Sequence, residues 1–210
     1  QTPPESIGCK AYVSKYINNK PHHALLFAKR LLYFFNVSLY NIGQSKNQSN
    51  KDNTMRILLT GAKGQLGQCF KDRLPDNWEL IATDSQTLDI TDAAAVLNMV
   101  KNFQPDAVVN AAAYTAVDKA ESDHDKAFAV NADGSRNLAA AAQAVGAKFV
   151  NVSTDYVFSG HAKNPYTEED APEPTGVYGK SKLAGELLTL AANPNSMVIR
   201  TSWVFSEYGN

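Results

Sequence analysis

The chain has 210 residues, 44% of them hydrophobic and 20% charged, with a net charge of −1; that is enough apolar material for one well-buried core and part of a second, and it excludes a disordered or fibrous chain. The charge is unevenly spread, because residues 1–54 hold seven Lys or Arg against two acids (+5) and the remainder carries −6. Neither part has the clustered basic run that tracks phosphates, so no nucleic-acid partner is expected, and two cysteines, Cys9 and Cys69, without a C-x-x-C pair or a His at ligand spacing, read as a reduced, cytoplasmic protein with no metal site.

The first methionine in the chain is Met55, at the start of an apolar run. We expect it to be the natural start, with residues 1–54 a non-native and poorly ordered extension. Residues 24–40 are apolar, but Lys29 and Arg30 divide them, and a spanning helix needs ~20 largely uncharged residues. The polar tract at 41–54 has no small-x-small cleavage pattern. No membrane partner is expected, a surface-lying amphipathic helix or a targeting segment being the alternative.

From Met55 onward, apolar runs and helix-period patterns alternate. Strands are predicted at 55–60, 78–83, 87–90, 107–110, 148–153 and 197–201. Helices are predicted at 65–74, 91–103, 124–145 and 178–192. Such alternation makes an α/β fold with a doubly wound parallel sheet. In that arrangement the chain reverses after its first strands, and a crevice opens past the carboxyl ends of two neighbours, here Thr60 and Asn110. Both lead into small-residue loops, Gly61-Ala62-Lys63-Gly64 and Ala111-Ala112-Ala113.

Gly61, Gly64 and Gly67 stand three apart between a strand and a helix. Glycines there let backbone N–H groups approach a pyrophosphate, and the following helix supplies partial positive charge. An ordinary Gly-rich turn is the bland reading. Asp84 ends the second strand, where a carboxylate can accept from an adenosine ribose, or simply cap a turn. Lys63 could instead pair with a ribose 2′-phosphate, so NADPH and NADH both stay open. Cys69, in the first helix, reads as a small buried thiol.

Tyr178 and Lys182 lie four apart on one predicted helix face. A cation there would lower the phenol from its free value of about 10 and make it a usable proton donor. Ser153-Thr154, ending a strand, can offer a hydroxyl to a substrate carbonyl in the same crevice. His124 and His161, in polar contexts, read as solvated, as does the acidic run Glu168-Glu169-Asp170.

Five blocks in order, Thr60 to Gly67, Asn110 to Glu121, Ser153 to Phe158, Val177 to Glu186 and Arg200 to Val204, together resemble the dTDP-4-dehydrorhamnose reductases of the extended short-chain dehydrogenase/reductase superfamily. The resemblance runs from Met55 to the end and implies a Rossmann-like NAD(P)-binding unit at 55–210. It implies reduction of dTDP-4-dehydro-L-rhamnose to dTDP-L-rhamnose by NADPH or NADH. Tyr178 would protonate the sugar oxygen, Lys182 would tune it and hold the nicotinamide ribose, and Thr154 would polarise the carbonyl. Gly61, Gly64, Gln65 and Leu66 would line the pyrophosphate, Asp84 the ribose, Asp89 and Ile90 the adenine, and Ala112, Ala113, Tyr114 and Thr115 the nicotinamide side. Asp155, Tyr156 and Trp203 would face the deoxyhexose. Asn131 resembles the helix asparagine that supports a proton-relay water in the superfamily, a surface position being its alternative.

The family continues beyond the position of Asn210 into a smaller part that closes over the nucleotide sugar. The resemblance therefore implies a fold truncated before the substrate-binding part, with weak cofactor binding and little turnover. Metal-linked dimers in the family use a carboxylate early in the first helix, where this chain has Gln68-Cys69, so no metal is inferred; a homodimer is the oligomer that the resemblance leaves open. Two other readings stay open. One is a non-catalytic subunit of the same fold, like the regulatory beta subunit of methionine adenosyltransferase; the other is a nucleotide-sugar epimerase or dehydratase, for which Asp155 fits but no Glu follows it.

Overall fold

A computed structural model describes residues 12–13, 54–202, 204 and 206–209. The central strands form where apolar runs are buried on both faces. In β2 (Arg56–Thr60) Ile57, Leu58 and Leu59 are all inaccessible to water, and β4 (Ala107–Asn110) is buried from end to end, as central parallel strands require. With β3 (Glu79–Thr83), β5 (Lys148–Thr154) and β6 (Met197–Thr201) they build a parallel sheet. A short β1 (Tyr12–Val13) pairs with β6, giving the order β1-β6-β5-β4-β2-β3.

The helices are α1 (Gln65–Lys71), α2 (Ala93–Phe103), α3 (Val117–Ala120), α4 (His124–Phe128), α5 (Ser135–Val145) and α6 (Val177–Ala192). Because side chains alternate across a strand, β2 feeds two cores. Ile57 and Leu59 meet Phe70 and Cys69 of α1 on one face, while Leu58 meets Val96 and Val100 of α2 and Leu138 of α5 on the other. The doubly wound expectation is met, and Cys69 is the small buried thiol it was read as.

Two expected elements differ. Residues 87–90 form no strand. Asp84 Oδ1 accepts the N–H groups of Gln86 and Thr87 at 2.9 and 3.0 Å and turns the chain away from the sheet. The Leu88/Ile90 alternation is spent on burying two loop side chains in the second core. The helix expected over 124–145 runs the full distance, but Ala129–Gly134 widens into a π-helical turn between α4 and α5.

Register fixes the crevice. Thr60 lies opposite both Thr83 and Asn110, and Asn110 lies opposite Asn151. β5 therefore continues three residues past that line, carrying Thr154 about 10 Å beyond it at a strand's usual rise. Among the described residues no helix is long and apolar enough to cross a membrane.

Candidate active site

The glycine turn is built by close approach. Gly61 has φ +72°, and a Cβ there would sit 2.5 Å from the backbone of Ala111, so only glycine lets the β2 and β4 loops touch. Gly67 is pressed against the Gly61 carbonyl, which seats α1 on the turn. Gly64 faces open space, with only the Gly61 carbonyl near a Cβ position, at 3.4 Å. Beneath the turn, Thr60 Oγ1 donates to Asn110 Oδ1 at 2.7 Å, and Asn110 Nδ2 donates to Asn151 Oδ1 at 2.9 Å. Asn110 Oδ1 also accepts the Ala112 N–H at 3.1 Å, so a buried polar ladder fixes where both loops begin.

Beyond the turn lies a cleft of about 510 Å³, in the range of small-molecule sites. Its walls include Gly61, Gly64, Asp84, Asp89, Ile90 and the run Ala112–Thr115, as the resemblance implies. Gln65 and Leu66 begin α1 but do not line the cleft, and Leu66 packs on the core instead. Lys126 and Val130 were not anticipated.

Asp84 combines its two readings. One oxygen caps the turn, and the other forms an ion pair with Lys63. Lys63, helped by the turn's N–H groups, holds the Asp84 carboxyl well below the usual carboxylate range. Lys63 is 71% exposed and also donates to Gln86 Oε1 at 3.3 Å, so the cation is tethered but free to move. Asp89 is likewise lowered, by the Thr91 N–H and hydroxyl.

A second cluster lies along β5 and α6. Asn131, at the π turn, is buried, which rules out the surface alternative. Its amide clamps the cleft loop by accepting the Tyr114 N–H at 2.8 Å and donating to the Tyr114 carbonyl at 3.1 Å. Its second N–H reaches Ser181 Oγ at 2.9 Å. Ser181 in turn donates to the Tyr178 carbonyl at 2.8 Å. Tyr114 and Tyr178 pack on one apolar cluster with Ala120, Ala127 and Val177, so the cleft wall and the Tyr178 turn of α6 are one built unit.

At that unit Tyr156 meets Tyr178 edge-on, ring centroids 5.4 Å apart, and Thr154 Oγ1 donates to Asp155 Oδ1 at 3.1 Å. Thr154 is buried, Tyr156 is 53% exposed, and Asp155 is partly buried, which raises its carboxyl. Thr154, Asp155, Tyr156 and Tyr178 are thus brought together, while Trp203 lies outside the described residues. The expectation that Lys182 lowers the Tyr178 phenol is corrected. Lys182 Nζ donates to the Val152 carbonyl at 2.7 Å, and burial, partly opposed by Glu186, holds its pKa at about 8. Burial raises Tyr178, the nearby Thr154 hydroxyl opposes the shift, and Asp155 and Tyr156 add to it.

Behind this corner, Glu186 of α6 takes three bonds from Arg200 of β6, at 3.0, 3.2 and 2.6 Å, and one from Ser153 Oγ at 2.5 Å. Arg200 also lies 5.0 Å from the centroid of the Phe158 ring. Glu186 and Arg200 fall inside the sequence blocks quoted above, but nothing in their spacing announces that they pair. His124 and His161 are exposed, as expected.

The family described as the RmlD substrate binding domain matches residues 55–210. The chain belongs to this family. A dTDP-4-dehydrorhamnose reductase of Aggregatibacter actinomycetemcomitans is 46% identical over 157 residues, 74% of this chain and 53% of the relative. A crystal structure of such a reductase from Clostridium acetobutylicum superposes with a TM-score of 0.72 at 50% identity, covering 74% of this chain and 56% of that one. The Bacillus anthracis reductase in complex with NADP gives 0.73 at 42% identity, covering 75% and 56%. The chain thus spans about half the length of the relatives it matches.

Proposed function

We propose that the chain is the cofactor-binding and proton-donating part of an NAD(P)H-dependent reductase of a dTDP-linked 4-keto-6-deoxyhexose, dTDP-4-dehydro-L-rhamnose. The observation that carries this reading is the single framework, Tyr114–Asn131–Ser181–Tyr178, that joins the cleft behind the glycine turn to the turn of α6 carrying Tyr178. The residues suit that ligand. Gly64 leaves room at the cradle, Asp84 and the exposed Lys63 offer an anion and a cation where an adenosine ribose would sit, and Ala112, Ala113, Tyr114 and Thr115 form a close wall. NADP bound to the Bacillus anthracis relative supports NADPH as the preferred cofactor, and Lys63 is the side chain able to meet its extra phosphate.

When bound, the reduced nicotinamide supplies the hydride. Thr154 and Tyr178 then converge on the keto oxygen, and Tyr178 gives its proton to the alkoxide that forms. The raised phenol favours the protonated, donating form near neutral pH. Lys182 supports the ribose side of the site, and Asp155 and Tyr156 face the sugar. The reading places this work in the cytoplasm and, following the resemblance, in a homodimer, which light scattering would read. A regulatory-subunit reading has less support, because it assigns no use to the convergence of Thr154 and Tyr178.

The test follows NADPH absorbance with dTDP-4-dehydro-L-rhamnose for the parent chain and Tyr178→Phe. The parent should oxidise NADPH slowly but in a sugar-dependent way, and the variant should fall to background, a positioned general acid being worth at least about 100-fold. A variant as fast as the parent would remove Tyr178 from the reaction.

A further inference from the structure

The helix that carries Tyr178 begins without a cap of its own. The N-cap position of α6 is Gly176, which has no side chain to offer, and its first turn carries no acidic residue. A helix start leaves backbone N–H groups unmatched and bears partial positive charge, so an acceptor has to come from elsewhere. It comes from 56 residues upstream, where Glu121 Oε1 accepts the Val177 N–H at 2.7 Å. Gly176 leaves room for that approach, since a Cβ there would lie 2.9 Å from the same carboxylate oxygen.

Glu121 stands at the corner between α3 and α4, just beyond the cleft wall Ala112–Thr115. The corner is tied to that wall. Asp123 Oδ2, two residues on, accepts the Tyr114 phenol O–H at 3.2 Å, and His124 Nε2 meets the Glu121 carbonyl at 2.9 Å. Ala120, the residue before Glu121, shares an apolar cluster with Val177, Tyr114 and Tyr178. The first turn of α6 also presses on the Tyr156 carbonyl, into which a Cβ at Gly179 would run. The turn bearing Tyr178 is therefore held by the Tyr156 backbone and by the Glu121 corner.

We propose that Glu121 is a positioning residue: by gripping the first N–H of α6 from the corner beyond the cleft wall, it sets where the Tyr178 ring stands relative to a bound cofactor. For the reaction, this rests on the reductase reading above. Glu121 does not line the cleft, and it acts through Val177 on the ring that follows. A cap at position 176 itself would hold the helix end as well but leave it unlinked to the wall. That difference separates positioning from stability alone.

The experiment labels the tyrosines of the 210-residue chain with 13C at the ring carbon bearing the hydroxyl and reads them by NMR, with Tyr178→Phe assigning the resonance. The Tyr156 ring, edge-on at 5.4 Å, makes the Tyr178 signal sensitive to ring placement. Glu121→Ala should shift that signal and lower kcat for sugar-dependent NADPH oxidation by on the order of tenfold at an unchanged KM for NADPH, since a misplaced reacting group loses rate. Glu121→Gln, which keeps an acceptor oxygen, should return the signal to the parent position. The deciding variant is Glu121→Ala/Gly176→Ser, in which the vacated space admits a serine able to cap α6 locally. It should regain the stability in urea that Glu121→Ala loses, while the Tyr178 signal and the rate stay displaced. A Tyr178 signal that Glu121→Ala leaves unmoved, that Glu121→Gln fails to restore, or that returns with the local cap overturns the proposal; should Glu121→Ala fail to fold, the double variant decides alone. Signals that behave as expected in a chain that reduces no keto sugar overturn the reductase reading instead, so the two failures are told apart.

Discussion

The two ends of the crevice are built on opposite principles. At the Asp84 end the chemistry is local and wet: the carboxylate is held by its own turn and by the exposed Lys63. At the Tyr178 end it is remote and dry. Lys182, Glu186 and Arg200 are all buried, and they reach partners on β5, α6 and β6. An ion pair in water adds little to stability, whereas a buried charge that loses its partner is expensive. The first end can therefore adapt to a ligand, while the second behaves as fixed scaffold.

Breaking the dry end should have the largest effect. Glu186→Gln leaves the Arg200 guanidinium buried without its counter-charge and should cost about 3–5 kcal/mol, read by urea unfolding. A loss below about 1 kcal/mol would mean that water reaches the pair, and the contrast between the ends would fail.

The next effect is a pH dependence. The Lys182 pKa falls from 10.5 to about 8 on folding. Between those values the unfolded chain binds more protons, so stability rises with pH. The cost of burying the ammonium is thus fully present below about pH 8 and fades toward 10.5, worth at most about 3 kcal/mol. The parent should gain stability over that window relative to Lys182→Met, which lacks the titration. A constant difference between the two would place the ammonium in water.

The smallest effect belongs to the wet end. Lys63→Ala should leave the melting temperature within the scatter of replicate melts while raising the Asp84 carboxyl toward the ordinary range, followed by carboxyl NMR. The rise should be partial, because the Gln86 and Thr87 N–H groups keep their bonds to Oδ1.

The same contrast explains what could be read from the sequence. The strands, the glycine turn and the Asp84 loop depend on neighbours in the chain, and all are where the spacing puts them, save residues 87–90. There, period-2 apolarity was outweighed by a turn that Asp84 closes with its own side chain. The Tyr178–Thr154 meeting was foreseen, but the direction of the phenol's shift was not. Four-residue spacing puts Lys182 on the right helix face without saying that the Val152 carbonyl accepts its hydrogen bond. The Glu186–Arg200 pair and the Asn131 clamp depend on how α6 sits against β6 and the π turn, a register that no local pattern encodes.

The central claim is that one ligand spans both ends, and an NADPH titration of the tyrosine-labelled chain tests it most directly. The account predicts that the Tyr114 and Tyr178 signals move together with a single dissociation constant. Saturable binding that shifts Tyr114 and leaves Tyr178 unmoved would contradict it.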